Sequence, residues 1–437
     1  MKWKSFKHNG IAFPPRYEAR QLSVRVKGGK VELSPEAEEL AYAWGKKRLT
    51  PYVQDPVFQS NFLGDFAKLL PREFQGTKYT EIDWTPVHEY LNREEQQRTD
   101  PAYKKSVAQQ RKELRIKLKE RFGYVEIDGV RTEIANWMAE PPSLFMGRGS
   151  HPLRGKWKPR VQSEDVVLNL SKDAPVPDGN WKEIVHYPDF MWIGYWVDKL
   201  SEVRKYVWPS DISNIRQERD RQKFELAKKL TRSLANVRKN IDKGLGSEDV
   251  RIRKLATVCY LIDNLAMRVG DEKDEDEADT VGASTLRVEH LKFHPSSVEF
   301  DFLGKDSVRW QKTMKLDGGL NNLVRRNLQE FSGKKKPGDP MFDGINSASV
   351  NKFLGSAMKG LTAKVFRTHH ATETVQKYLD HYNGFGPDSP VFQKLYRARL
   401  ANLEAAIRCN HKRTIPKTWE SSLEKKQVRL NEMMTRE

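Results

Sequence analysis

Cysteine is nearly absent from this chain: Cys259 and Cys409 are the only two in 437 residues. That excludes a disulfide framework and any cysteine-based zinc finger, and it fits a reducing compartment. Long apolar runs are missing as well. No stretch approaches the roughly eighteen apolar residues of a membrane span, and the start, MKWKSFKHNG, has no apolar signal-peptide core, so an intracellular protein with no membrane partner is expected. There is no phosphate-binding glycine loop of the P-loop type, hence no basis for ATP use. The acidic run DEKDEDEAD lacks the spacing and central glycine of a calcium loop. His290 and His294 lie in strand-like sequence without a third ligand, and His369-His370 reads as a lone pair. No metal site and no cofactor are expected.

Acidic residues are outnumbered. Against 59 Asp and Glu stand 77 Lys and Arg, a formal charge of +18 spread along most of the chain. Such an excess calls for a polyanionic partner, and nucleic acid is the first candidate. A length of 437 residues allows two or more domains. The first part mixes short strands with helices. Ser34-Pro35 opens one helix, and Asp100-Pro101 opens a long, cation-rich, exposed one that reads as a strut. YVEIDGVRTEI reads as a hairpin around Asp128-Gly129, and VHYPDFMWIGYWV as one aromatic-rich core strand.

Beyond Pro209 the pattern becomes helical at both ends, with a small sheet between. NIRQERDRQKFELAKKLTRSLANVRKNI is an amphipathic basic helix, and RIRKLATVCYLIDNLAMRVGDE a buried one with Arg268 near its end. STLRVEHLKF, SVEFDFLG and DSVRWQKTMKL predict three strands, the last two joined by a turn that lifts Lys305 to a hairpin tip. Ser389-Pro390 is read as the cap of a helix running into CNHKR. The last stretch, from Pro416, is charged and helical in character.

Arg268, Lys305, Arg367 and His411 form an inventory suited to phosphodiester chemistry. Two guanidiniums and an imidazole can hold the non-bridging oxygens of a five-coordinate phosphorus, and a lysine can protonate a leaving oxygen. Taken singly each has an ordinary reading. Arg268 would pair with the acidic run, Lys305 would be a solvated turn residue, Arg367 would cap a helix and His411 would be a structural hydrogen bonder.

Joint order decides otherwise. LAMRVGDEK, ADTVGASTLRVEHL, VEFDFLGKDSVRW, GLTAKVFRTHHAT and CNHKR resemble the core of eukaryotic type IB DNA topoisomerases. The resemblance extends back through DVVLNLSKDAPVP and EPPSLFMGRGSHP to HNGIAFPPRYEA, nearly the whole chain. It implies an α+β multidomain clamp: a mixed DNA-binding cap lobe at 1–206, a mainly helical, tyrosine-recombinase-like catalytic lobe with a small antiparallel sheet at 207–413, and a linker helix beginning at 414. Arg268, Arg367 and His411 would bind the scissile phosphate and Lys305 would protonate the 5′ oxygen. Arg148 and Asp306 would flank the cleavage point in the minor groove, where camptothecin-type drugs stack in the family, and Gly147 beside Arg148 would belong to the DNA-binding surface. Lys205, Lys273, Thr280, Lys364, Thr368 and Asn410 match positions contacting the backbone of double-stranded DNA.

The family's nucleophile is a tyrosine in a Ser-Lys-x-Asn-Tyr motif, which forms a 3′-phosphotyrosine while superhelical strain relaxes. No such motif occurs here, and Tyr378, Tyr382 and Tyr396 all precede His411. The expectation is therefore the large subunit of a split enzyme, as the heterodimeric trypanosomatid enzyme resembles, with the tyrosine on a small subunit. A truncated core fragment, a non-enzymatic DNA clamp and a site-specific tyrosine recombinase are the alternatives. The implied location is the nucleus, with mitochondrial or kinetoplast placement also open.

Any of these readings makes DNA affinity depend on released counterions. Anisotropy titrations on duplex DNA should lose affinity by about 10³-fold or more between 50 and 200 mM salt if six or more phosphates are contacted. A flat response would remove nucleic acid as the partner.

Overall fold

The computed structural model describes residues 2–147, 149–271, 279–382, 384, 386–412, 415–416 and 418–434. The chain divides into two compact units. One holds Met1–Gln222, the other Lys223–Glu272 together with Thr280–Glu437. Both mix helices with small sheets, an α+β architecture. Among the described residues no helix is long and apolar enough to cross a membrane.

The first unit is built around aromatic-rich cores, two large and a smaller one about Trp192. Ser34 accepts a hydrogen bond from the Ala37 amide (3.3 Å), and Pro35 opens the helix Pro35–Gly45, as expected of this pair. Phe58, Phe62 and Phe66 recur at every fourth position of the helix Pro56–Phe66 and are fully buried. Trp44 stacks on Phe62 with ring centroids 4.1 Å apart. The second core gathers Trp3, Phe6, Val125, Trp137, Ile193 and Trp196.

The Asp128-Gly129 hairpin is present: Ile127 pairs with Val130, and both turn residues have positive φ, 49° and 79°. This is the left-handed pair of a two-residue turn that matches strand twist. Asp100 caps the helix Pro101–Phe122, accepting from Ala102 N at 2.9 Å, and none of that helix is buried. VHYPDFMWIGYWV is not one strand. Glu183–Val185 pairs parallel to one side of Val166–Asn169, and Gly194–Val197 pairs antiparallel to the other. Asn169 holds the intervening turn, its Oδ1 accepting from the Tyr187 amide at 2.9 Å. The core expectation holds, for Trp192, Ile193 and Trp196 are buried.

In the second unit the helices Asn214–Leu245, Val250–Leu265, Gly319–Ser332, Ser347–Ala357 and Ala363–His381 enclose one apolar core with a three-stranded antiparallel sheet. Its strands run in the order Leu291–His294, Ser297–Gly304, Val308–Lys315. Most of STLRVEHLKF is not strand. Side chains capture its backbone instead: Thr285 Oγ1 accepts from Gly282 N (3.0 Å), and His290 Nδ1 from Arg287 N (3.0 Å). Short 3₁₀ turns, Ala283–Thr285 and Val288–His290, result. Ser389 does not cap the helix Val391–Arg408. Pro390 stands at the cap, and the Ser389 hydroxyl turns back to accept from Gly386 N at 3.1 Å. A last helix, Trp419–Met434, is wholly unburied.

The aromatic cluster around Trp44 carries much of the first unit's burial. Trp44→Ala should cost about 3–5 kcal/mol, read as a lower urea midpoint of the first unit's transition. A loss below about 1 kcal/mol would show that the cluster is not tightly packed.

Candidate active site

Two helices of the second unit end in left-handed residues, and each ending delivers a predicted site residue. Val250–Leu265 stops at Ala266, whose φ is 55°. Past it, the Arg268 carbonyl accepts from Ala283 N at 2.8 Å, and the Val269 carbonyl from Ser284 N at 2.7 Å. Gly270 and Gly282 lie back to back there: a Cβ on Gly282 would meet Gly270 N at 2.5 Å and the Arg268 oxygen at 2.8 Å. The glycines in RVG and TVG are thus required for the backbone that holds Arg268.

The helix Val391–Arg408 ends in a Schellman motif. His411 N donates to Ala406 O (2.8 Å), Asn410 N donates to Ile407 O (3.0 Å), and Asn410 itself has φ 50°. Asparagine tolerates that conformation at small cost, so CNHKR reads physically as a helix stop that throws His411 clear of the helix. The Asn410 side chain donates to Arg309 O at 3.3 Å, tying this ending to the Val308–Lys315 strand.

These endings meet the helix Ala363–His381 around a cleft of about 520 Å³. Arg268, Arg367, His411, Lys364 and Thr368 line it, with Lys223, Asn402 and Cys409. No carboxylate and no tyrosine is among the described lining residues. Arg367 is anchored from below: Nη1 donates to Ala266 O (2.6 Å) and Nη2 to Cys409 O (3.0 Å). Those bonds use two of five guanidinium donors and leave the rest for an oxyanion. Burial, and then Arg268 beside it, hold the Arg367 pKa below the usual guanidinium value. A bound anion would relieve both.

Three of the four expected catalytic residues therefore share one cleft. Lys305 does not line it. It stands exposed on the tip between Ser297–Gly304 and Val308–Lys315, beside Asp306 in a left-handed conformation, φ 67°. Thr280 is half-buried just before the Val281 amide, which donates to Leu303 O at 2.8 Å. Gly147 and Lys205 belong to the first unit. Gly147 has φ 62°, and a Cβ there would meet His151 Cβ at 2.7 Å, so glycine is required by the loop itself. Lys205 pairs with Trp196 across two strands. Arg148, Lys273 and Arg413 lie outside the described residues.

One residue went unread in the sequence. Lys312 occupies the core-facing register of its strand between the buried Trp310 and Met314. Its Nζ donates to Leu265 O (3.1 Å) and Arg408 O (2.9 Å), the last turns of both helices that end at the cleft. Burial, then Arg408 and Arg367, push its pKa down to about 8. A lysine at an inward position of an alternating strand was the available signal.

A cationic cleft in one compact unit, and a second unit of small sheets and helices, define the class as a two-unit α+β protein. Comparison with known proteins makes that particular. Residues 1–209 match the model of the eukaryotic DNA topoisomerase I DNA binding fragment, and 212–437 that of its catalytic core. The chain belongs to the eukaryotic DNA topoisomerase I family. It is 37% identical over 440 residues to DNA topoisomerase 1 beta of Arabidopsis thaliana, covering 99% of this chain and 47% of that protein. To DNA topoisomerase 1 of Candida albicans it is 39% identical over 447 residues (99% and 56%), and to the Homo sapiens protein 36% over 446 (99% and 57%). The chain thus spans about half the length of the curated relatives it matches.

Lys312 gives this site a pH signature. Its folded pKa lies below the ordinary lysine value of 10.5. Below about pH 8 both folded and unfolded chains carry the proton, and the folded state bears the full cost of the buried charge. Between about 8 and 10.5 the unfolded chain binds more protons, so the folded state gains stability as pH rises. The stability difference between wild type and Lys312→Met, from urea denaturation, should shift in favour of wild type across that window. A constant difference would show that Lys312 is not held in this environment.

Proposed function

We propose that this chain is the DNA-binding and phosphate-activating part of a type IB topoisomerase. It would relax supercoiled DNA by transient single-strand cleavage through a 3′-phosphotyrosine. The observation that carries this reading is the cleft itself: Arg268, Arg367, His411 and Lys364 line it, and no carboxylate is among the described residues of its wall. In this reading the two guanidiniums and the imidazole bind the non-bridging oxygens as negative charge accumulates on phosphorus. Lys305, on its exposed tip, protonates the departing 5′ oxygen and takes the proton back at religation. The ester bond energy is kept in the phosphotyrosine, so the chemical step needs no ATP.

The attacking tyrosine is assigned to a Ser-Lys-x-Asn-Tyr segment supplied to this cleft by another polypeptide, a small subunit. The 1–206 region is assigned to the cap lobe of a clamp around double-stranded DNA, 207–413 to the recombinase-like catalytic lobe, and 414 onward to the linker. Gly147, Arg148, Lys205, Lys273, Thr280, Asp306, Lys364, Thr368 and Asn410 are assigned to the DNA surface, and the nucleus to its location.

Plasmid relaxation tests these assignments. The chain alone should bind DNA without relaxing it, and should relax it when mixed with a polypeptide bearing the tyrosine motif. In that mixture Arg268→Ala should slow relaxation by about 10²–10³-fold, as for loss of one oxyanion donor, with DNA affinity changed only a few-fold. Relaxation by the chain alone would overturn the small-subunit assignment. A reconstituted pair that never relaxes DNA, or an Arg268→Ala pair with full activity, would overturn the catalytic one.

A further inference from the structure

The pair His369-His370 is not alone in the fold. We propose that His369, His370 and Glu373, flanked by Asp263, form a binding site for a divalent transition-metal ion of the zinc class. The ligand atoms of the two histidines and Glu373 all lie within 4.8 Å of one another. Both histidines are buried, and Nε2 of His369 is sealed from solvent without a hydrogen-bond partner.

His369 Nδ1 lies 3.1 Å from the Thr231 hydroxyl, which also reaches Ala227 O at 3.2 Å. With the ring proton on Nδ1, Nε2 presents a lone pair toward Glu373 Oε2, 3.9 Å away. His370 Nε2 lies 3.1 Å from Asp263 Oδ1, which brings that carboxylate to the edge of the cluster. The unpartnered His369 nitrogen and the Glu373 and Asp263 oxygens gather in a largely buried space, where a cation would offset their negative charge.

The chemistry selects the cation. Two imidazoles and a carboxylate suit zinc and its neighbours, whereas magnesium and calcium prefer oxygen sets. Tetrahedral zinc needs ligand atoms about 3.3 Å apart for bonds of about 2.0–2.1 Å, against the 4.8 Å within which these atoms lie without an ion. Thr231 on Nδ1 is the outer hydrogen bond that fixes a ligating histidine. Asp263 is already held by Arg238 (2.8 and 3.2 Å), and Glu373 Oε1 by Lys377 (3.0 Å), which leaves Oε2 for the ion. Glu373 is the half-exposed member through which an ion enters.

The chelator-stripped chain, titrated with zinc in a calorimeter and with cobalt(II) by visible absorption, tests this. One equivalent should bind, the cobalt spectrum should be that of a four-coordinate nitrogen–oxygen site, and saturating zinc should raise Tm by a few degrees. His369→Gln with His370→Asn should abolish uptake, Glu373→Gln should weaken it at least tenfold, and Lys377→Ala should retain it. If the double variant does not fold, Glu373→Gln decides, since its side chain is half-exposed. Absence of saturable uptake, or equal affinity in Glu373→Gln, would overturn the site and leave a proton between His370 and Asp263 as its occupant.

Discussion

The second unit must hold Arg367 at its cleft without tying it to a carboxylate. A carboxylate beside Arg367 would satisfy it and also compete with any oxyanion. The fold uses peptide carbonyls instead. Val250–Leu265 and Val391–Arg408 bring their C-terminal ends together, each with the partial negative charge of a helix dipole. Arg408 donates to Asn264 O, Lys312 to Leu265 O and Arg408 O, and Arg367 to Ala266 O and Cys409 O. Five carbonyls that a helix end would leave to water thus neutralise three cations in part, and the cleft stays net positive.

That arrangement explains why both helices stop with left-handed residues. A left-handed turn reverses the chain at once, so the carbonyls stay exposed for capture while the next side chains swing into the cleft. The conformation costs about 1 kcal/mol for alanine and less for asparagine. At Asn410 the Schellman bonds and the bond to Arg309 offset it, and at Ala266 the short bond from Arg367 does. Arg268 and His411 are therefore placed by how their helices end, and the Gly270–Gly282 contact fixes the first of them further.

Features set by local chemistry were legible in the sequence. The Asp128-Gly129 turn, the Ser34 and Asp100 caps, the Lys305 tip and the exposure of Pro101–Phe122 depend on neighbours a few residues away. What escaped depended on distant partners or competing local bonds. STLRVEH alternates like a strand, but Ser284, Thr285 and His290 bind backbone and turn it. The aromatic segment before Val197 looked continuous until Asn169 bent it. Lys312 was visible as an anomaly, yet its carbonyl partners lie 47 and 96 positions away in sequence. The cleft residues were named from joint order and resemblance, since nothing local to Arg268 or Arg367 announces them.

The histidine cluster bears on the same geometry from behind. Arg367 and Thr368 face the cleft, while the next two residues of their helix are buried, His369 against Thr231 and His370 against Asp263, on the helix that precedes Arg268. Arg238, from Asn214–Leu245, closes the network on Asp263 with two bonds. A buried carboxylate is costly unless its partners are all in place, so only one axial register of these three helices is acceptable. That register fixes how far apart Arg268 and Arg367 stand, a separation that apolar contacts around Phe366 and Ile262 would leave free to slide. An ion at His369, His370 and Glu373 would draw the histidines and Glu373 together beside Asp263. The spacing of the two arginines would then be set by coordination chemistry as well as by packing.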